Sequence, residues 1–394
     1  MPPPPPSPLL QKWPGTLTDR ERFRRQMHHQ PVDRCFNMEF GYWNDNFRLW
    51  PIFRDNGIVD NAAADRFLGF DRMEKVKGPW MCPPFPVEEI SRTAATRLLR
   101  NEDGLLAEVP LDNHDTIPHF IESSVKTPDD WARVKAGRFG RDHPERRPDV
   151  AAILREHPHD RAYPLGIWTG SMIGKVRDML TVEGLAYAVY DYPAMVEDIV
   201  ETSCQLVEDY LDALLPHVAF DFAFGWEDIC YKRGPLVSVG FFRDVVVPRY
   251  RRISAILRAY GIDLWWIDCD GDVRPLIPHF LAVGVNTMFP WEVNGSGDPG
   301  AALDRWGPAL RIMGGVDKMA LGAGREAIRR MLGSLAPHVE RGGYIPFCDH
   351  RCPPNVDPDD YLYYLDLKEK LFGRPAAGPF SPPAQTRPMC EPGA

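Results

Sequence analysis

The stretch Leu264-Trp265-Trp266-Ile267-Asp268-Cys269-Asp270-Gly271-Asp272 joins an apolar run fit for a buried strand to three carboxylates and a thiol around one glycine. A buried strand holds the polar groups at its end rigidly, which is where α/β proteins carry their chemistry. Asp268 and Asp270 alternate along extended chain, so both carboxylates can converge on one cation or one pair of substrate hydroxyls. The plainer alternative is an acid capping a helix that starts near Val273, and Asp272 suits that role best.

Two further groups stand out. Cys348-Asp349-His350-Arg351-Cys352 offers a soft ligand, a hard ligand and the one side chain that titrates near neutrality. Its alternative is an Asx turn at Asp349 running into Pro353-Pro354, with His350 solvated. Trp226-Glu227-Asp228 supplies either a general base or further ligand, or a structural hydrogen bond. Acids beside aromatic residues recur at expected strand ends, with Glu39 before Tyr42-Trp43 and Trp291-Glu292, while Trp168 leads into Thr169-Gly170-Ser171. The expected catalytic residues are therefore Glu227, Asp268, Asp270 and His350. The expected metal ligands are Asp268, Asp270, Cys348 and His350. Glu39, Tyr42, Trp43, Trp168, Trp226, Trp291 and Asp349 are expected to line an apolar substrate cleft.

Regular elements must hold these groups. Apolar runs at 163–168, 220–226, 264–267, 285–289, 310–313 and 343–347 read as short buried strands, with another at Cys35–Phe40. Helical patterns fall between them, at roughly 175–190, 193–215, 241–259, 273–282, 324–340 and 358–371. Such alternation implies a parallel sheet covered on both faces, and its length favours a TIM-type (β/α)8 barrel over an open sheet. An N-terminal helix starts at Thr18, whose spacing from Glu21 forms a capping box, and Thr127-Pro128 starts another. Ile90–Leu98 and Leu105–Val109 around Asp103-Gly104 read as a hairpin within an insertion over 77–125.

Composition narrows the class. The chain has 394 residues, 44% hydrophobic and 26% charged, enough for a large core. A net charge of -9 disfavours nucleic acid or an anionic membrane as partner, and no apolar run reaches the ~20 residues a membrane span needs. The expected location is cytoplasmic, with the scattered cysteines as reduced thiols. Proline-rich tails at 1–14 and 375–394 read as disordered, leaving one domain over 15–374. No glycine-rich nucleotide-binding motif follows any expected strand.

The order of several segments resembles the uroporphyrinogen decarboxylase superfamily, which includes the corrinoid-dependent methyltransferases. The segments are Arg22–Arg25 leading to Gln30–Arg34, the Asp103-Gly104 hairpin, 261–271, Gly284-Val285-Asn286, Gly314–Lys318 and Gly342–Pro346. The resemblance covers about residues 18–372 and implies a TIM-type barrel. In true uroporphyrinogen decarboxylases an arginine-rich loop grips the substrate carboxylates. Here Met38–Trp43 stands in its place, and Glu39 would repel them. The methyltransferase branch holds zinc with His-x-Cys-Gly and a later cysteine. The matching positions are Asp268-Cys269-Asp270-Gly271 and Cys348, so the resemblance implies a harder, carboxylate-rich site for Zn²⁺ or another divalent ion. It further implies methyl exchange between a small substrate and a corrinoid on a partner carrier protein, and a homodimer. The alternatives are a lyase or decarboxylase working by carboxylate and His acid–base catalysis, and a non-catalytic binding barrel.

Overall fold

Most of the apolar runs form strands, and the chain divides into two compact units. The structure, a computed structural model, describes residues 9–111 and 118–374. The expected tail over 375–394 and the first eight residues of the N-terminal tail lie outside the described residues. Residues 9–14 are tied down at two points, since the Leu9 amide donates to the Phe67 carbonyl at 2.8 Å and Trp13 is buried.

The first unit comprises the chain up to Glu74, Arg161–Pro164, and the chain from Asn286 on. Its strands Thr287–Trp291, Arg311–Val316 and Tyr344–Cys348 run parallel, with Met288 opposite Ile312 and Val316 opposite Cys348. Helices Pro299–Trp306, Arg325–Glu340 and Pro358–Phe372 follow the strands in turn. Gly314 has φ +110, and a Cβ there would sit 2.7 Å from the Trp291 nitrogen, so only glycine permits this strand contact. The Asp19–Met27 helix carries the expected capping box of Thr18 and Glu21.

Cys35–Phe40 is not a strand. Its amides are taken by acceptors other than a ladder: Phe36 donates to Gln26 Oε1, Asn37 to Asp71 Oδ2, and Cys35 to the Phe372 carbonyl. Side chains have met the backbone's hydrogen-bonding needs, so an apolar run stays extended without pairing.

The second unit comprises Lys75–Asp160 and Leu165–Val285. Strands Leu165–Trp168, Phe222–Trp226 and Trp265–Asp268 lie side by side and parallel, with Ile167 opposite Ala223 and Asp268 opposite Trp226. The short strand Glu74–Val76 borders Leu165–Trp168. Helices Gly174–Asp191, Pro193–Leu214 and Val247–Ala259 connect the strands. The helix expected from 273 begins only at Ile277. Arg274 precedes Pro275, which disfavours helical backbone at Arg274, and Asp272 holds the Arg274 guanidinium instead of capping a helix.

The expected insertion holds an antiparallel sheet of Glu88–Arg92, Thr96–Arg100, Leu106–Pro110 and His119–Glu122. The Asp103-Gly104 turn is present, with Gly104 at φ +79. Thr96–Arg100 rather than Ile90 pairs across it, because a turn closed by Thr93 and Thr96 puts Ile90 in a separate strand. Parallel strands with covering helices make this a mixed α/β fold that fits a TIM-like arrangement.

One buried ion pair ties the first unit's irregular segment to its last helix. Glu39 Oε1 accepts from Lys368 Nζ and Tyr364 Oη, both at 2.7 Å, and its Oε2 accepts from the Cys348 amide at 3.0 Å. The Glu39 and Lys368 side chains are 1% and 0% exposed. Lys368→Met is expected to cost about 3–5 kcal/mol by stranding a buried carboxylate. Urea denaturation should show this, and adding Glu39→Gln should recover the greater part of the loss.

Candidate functional site

The site begins with two adjacent strands that end level. Asp268 lies opposite Trp226, so the residues after each strand emerge at the same height. The chain then bends sharply at Asp228, which adopts φ +47. The Glu227 amide donates to the Asp268 carbonyl at 2.8 Å, and the Asp270 amide donates to Asp228 Oδ1 at 3.1 Å. These bonds hold the two loops together. One oxygen each from Asp228, Asp268 and Asp270 lies within 4.8 Å of the others, and all three residues are partly exposed.

Burial pushes the Asp268 carboxyl well above the usual carboxylate range, and the charges of Asp228 and Asp270 push it further. Lys75 and Lys77 act in the opposite direction. They flank buried Val76 on the short strand, so both alternate onto one side. Lys75 Nζ lies 5.1 Å from the Trp266 ring centre and 5.4 Å from Phe224, and Lys77 Nζ lies 5.7 Å from Trp168. Trp226 carries the Arg177 guanidinium at 5.0 Å. Carboxylates, ammonium groups and indole faces thus share one region of the second unit.

Glu227 has a different place. It is fully buried, and its carboxylate accepts from the amides of Met172, Ile173 and Gly174, each at 2.8 Å, from Ser171 Oγ at 3.2 Å, and from Tyr250 Oη. These donors include the first turn of the Gly174–Asp191 helix, where a negative charge meets the positive dipole end. Such a saturated carboxylate anchors a helix and has no face left for a substrate. Of the alternatives open for Glu227, the structural hydrogen bond is the one present. Cys269 is buried beside Cys230, as a packing residue.

The other expected residues lie in the first unit. Tyr42 is buried, with its hydroxyl 2.6 Å from that of Tyr361. Trp291 is buried, and its indole donates to the Gly297 carbonyl at 2.7 Å. Asp349 is buried and accepts from the amides of Val293 at 3.0 Å and Lys318 at 3.1 Å. Burial raises the Asp349 carboxyl to about 6, against the pull of Lys318. With Glu39, these four commit their polar atoms to the unit's own framework. Cys348 is also buried, beside Cys352. His350 is partly exposed and stacks on Trp43 at 5.5 Å, with Phe40 edge-on at 5.4 Å.

Asp268 and Asp270 are brought together with Trp168 and Trp226 in the same unit. Cys348, Asp349, His350, Glu39 and Trp43 are grouped in the other. The sequence offers Glu227-Asp228 as a general base or further ligand without singling out Asp228, and it gives no clear sign of Lys75 and Lys77. The Lys75-Val76-Lys77 alternation was the available signal, but three residues make too short a pattern to announce a strand.

No family model matches the chain, and no curated protein matches it. Among solved structures, the fold is similar to that of a methyltransferase from Methanosarcina mazei, with TM-score 0.54 and 13% identity over 89% of this chain and 99% of that one. At that identity the likeness concerns the fold. No helix among the described residues is long and apolar enough to cross a membrane.

Crowding the three carboxylates costs stability when all are ionised. Because the folded-state pKa of Asp268 is raised, its contribution is favourable at low pH and is lost as pH rises through that value. Asp268→Asn mimics the protonated group. It should be more stable than the parent at pH 8 by at least about 1 kcal/mol, given ~1.4 kcal/mol per pKa unit. The difference should vanish towards pH 4. Denaturation midpoints across that range check both points.

Proposed function

We propose that the chain is a methyltransferase-like enzyme that moves a methyl group between a small substrate and a corrinoid or thiol acceptor. The observation that carries this is the convergence of Asp228, Asp268 and Asp270 at the ends of two neighbouring parallel strands. The fold likeness to a methyltransferase supports the class. Closure of the strands into an eight-stranded TIM-type barrel belongs to the same proposal, as does the corrinoid carrier protein.

Three carboxylates are hard oxygen ligands, while the neighbouring thiol of Cys269 faces Cys230 in the interior. They therefore fit a divalent cation that favours oxygen, and fit a zinc–thiolate centre poorly. Asp228, Asp268 and Asp270 would hold it. A cation held there would polarise the substrate heteroatom and offset the repulsion among the three acids.

The chain's own residues do the remaining work. The indoles of Trp168 and Trp226 offer apolar walls for a methyl-bearing substrate. As the carbon–heteroatom bond breaks, the methyl passes to the acceptor and the leaving heteroatom takes a proton from solvent.

A second reading is favoured by Lys75 and Lys77, which could hold a substrate carboxylate beside a protonated Asp268. That arrangement suits a lyase or decarboxylase without metal. Titration of Mn²⁺ followed by electron paramagnetic resonance separates the two. Binding near one equivalent, lost in Asp268→Ala and Asp228→Asn, is the result expected here, together with methylation of an added corrinoid by a methyl donor. No binding, with activity on carboxylic acids lost in Lys75→Ala, would instead establish the lyase.

A further inference from the structure

Away from the strand ends, Cys82, His143 and Glu145 each present a ligand atom, and these atoms lie within 4.8 Å of one another. We propose that they form a second metal site, specific for Zn²⁺ or a chemically similar borderline cation, that fastens the segment around Cys82 to the turn at Pro144–Arg146.

The donor types support this. One sulfur, one imidazole nitrogen and one carboxylate oxygen make a mixed soft and hard set of the kind zinc accepts, with a fourth position left for water. Tetrahedral Zn²⁺ with bond lengths of about 2.0–2.3 Å needs ligand atoms roughly 3.3–3.6 Å apart, so binding draws the three ligand atoms in by up to about 1.5 Å. A thiolate and a carboxylate neutralise the cation, leaving no net charge on the ligated centre.

The surroundings hold the ligands in place. The Arg146 guanidinium donates to the carbonyls of Arg138 at 2.8 Å, Gly140 at 2.9 Å and Trp80 at 3.1 Å. It therefore braces both segments that bear ligands. The Cys82 amide donates to the same Arg138 carbonyl at 2.9 Å, and the Glu145 amide approaches His143 Nδ1 at 3.4 Å. Cys82 is buried, His143 partly so, and Glu145 exposed, which gives a cation a route in from solvent. Burial raises the Cys82 thiol above its ordinary value. On binding, the thiol loses its proton to solvent and the sulfur–metal bond replaces it, so one proton is released per metal at neutral pH.

The full-length chain, reduced and stripped of metal, is titrated with Co²⁺ and then Zn²⁺. A variant carrying Asp228→Asn, Asp268→Asn and Asp270→Asn separates this site from the strand-end acids. In that variant we expect one equivalent of Co²⁺ with a sulfur-to-cobalt charge-transfer band, displaced by Zn²⁺ with release of one proton. Cys82→Ser should abolish the band. His143→Ala should weaken binding by more than the roughly 10–100-fold that losing an outer-shell partner costs. Should Cys82→Ser fail to fold, the exposed Glu145→Gln provides the same comparison. A missing band in the triple aspartate variant, a band that survives Cys82→Ser, or unchanged affinity in His143→Ala and Glu145→Gln would overturn the proposal.

Discussion

The Glu227 carboxylate, buried without exposure and accepting from three consecutive backbone amides and two hydroxyls, is the interaction around which the second unit's strand ends are arranged. It fixes the start of the Gly174–Asp191 helix, and its own amide is bonded to the Asp268 carbonyl. With both ends of Glu227 held, the next residue has little freedom. Asp228 takes a left-handed conformation that costs a non-glycine residue roughly 1 kcal/mol or more, and Arg177 secures its carbonyl. The strained residue turns its carboxylate towards Asp268 and Asp270. Anchoring and site assembly are thus consecutive steps along two residues.

Acids near the strand ends serve opposite purposes in this chain. Glu39, Asp349 and Glu227 are matched by donors and act as fasteners. Each replaces backbone pairing where the chain is irregular or where a helix starts. Asp228, Asp268 and Asp270 instead face one another, and the lysines that oppose their charge lie on a separate short strand, Lys75, and just past its end, Lys77. Repulsion left standing in a folded protein is what a cation or a proton-sharing substrate would relieve. Residue type alone does not distinguish the two uses, since all six are carboxylates in or next to apolar runs.

Much of the fold was legible in the sequence. The apolar runs ending at Trp168, Trp226 and Ile267 gave strands close to their expected bounds, because burial on both faces requires continuous apolar sequence. Capping at Thr18 and Thr127 was equally plain, since the partners are three residues away. Cys35–Phe40 misled because it is apolar for another reason: it packs extended, bonded by Gln26 and Asp71. The convergence of Asp268 with Asp270 was visible from their alternation. The participation of Asp228 depends on one backbone angle that neighbouring residues do not reveal.

By itself the sequence determined the alternation of strands and helices, the caps, the hairpin turn and the presence of acids where strands end. Those are local properties, set by periodicity and by partners a few residues apart. The tertiary structure alone decided that Glu227 is an anchor while Asp228 joins the acidic cluster, that the charges of Lys75 and Lys77 act on Asp268, and that Cys82 meets His143 and Glu145. Each of these depends on donors and charges that lie dozens of residues away, and a carboxylate's role follows from what surrounds it in space.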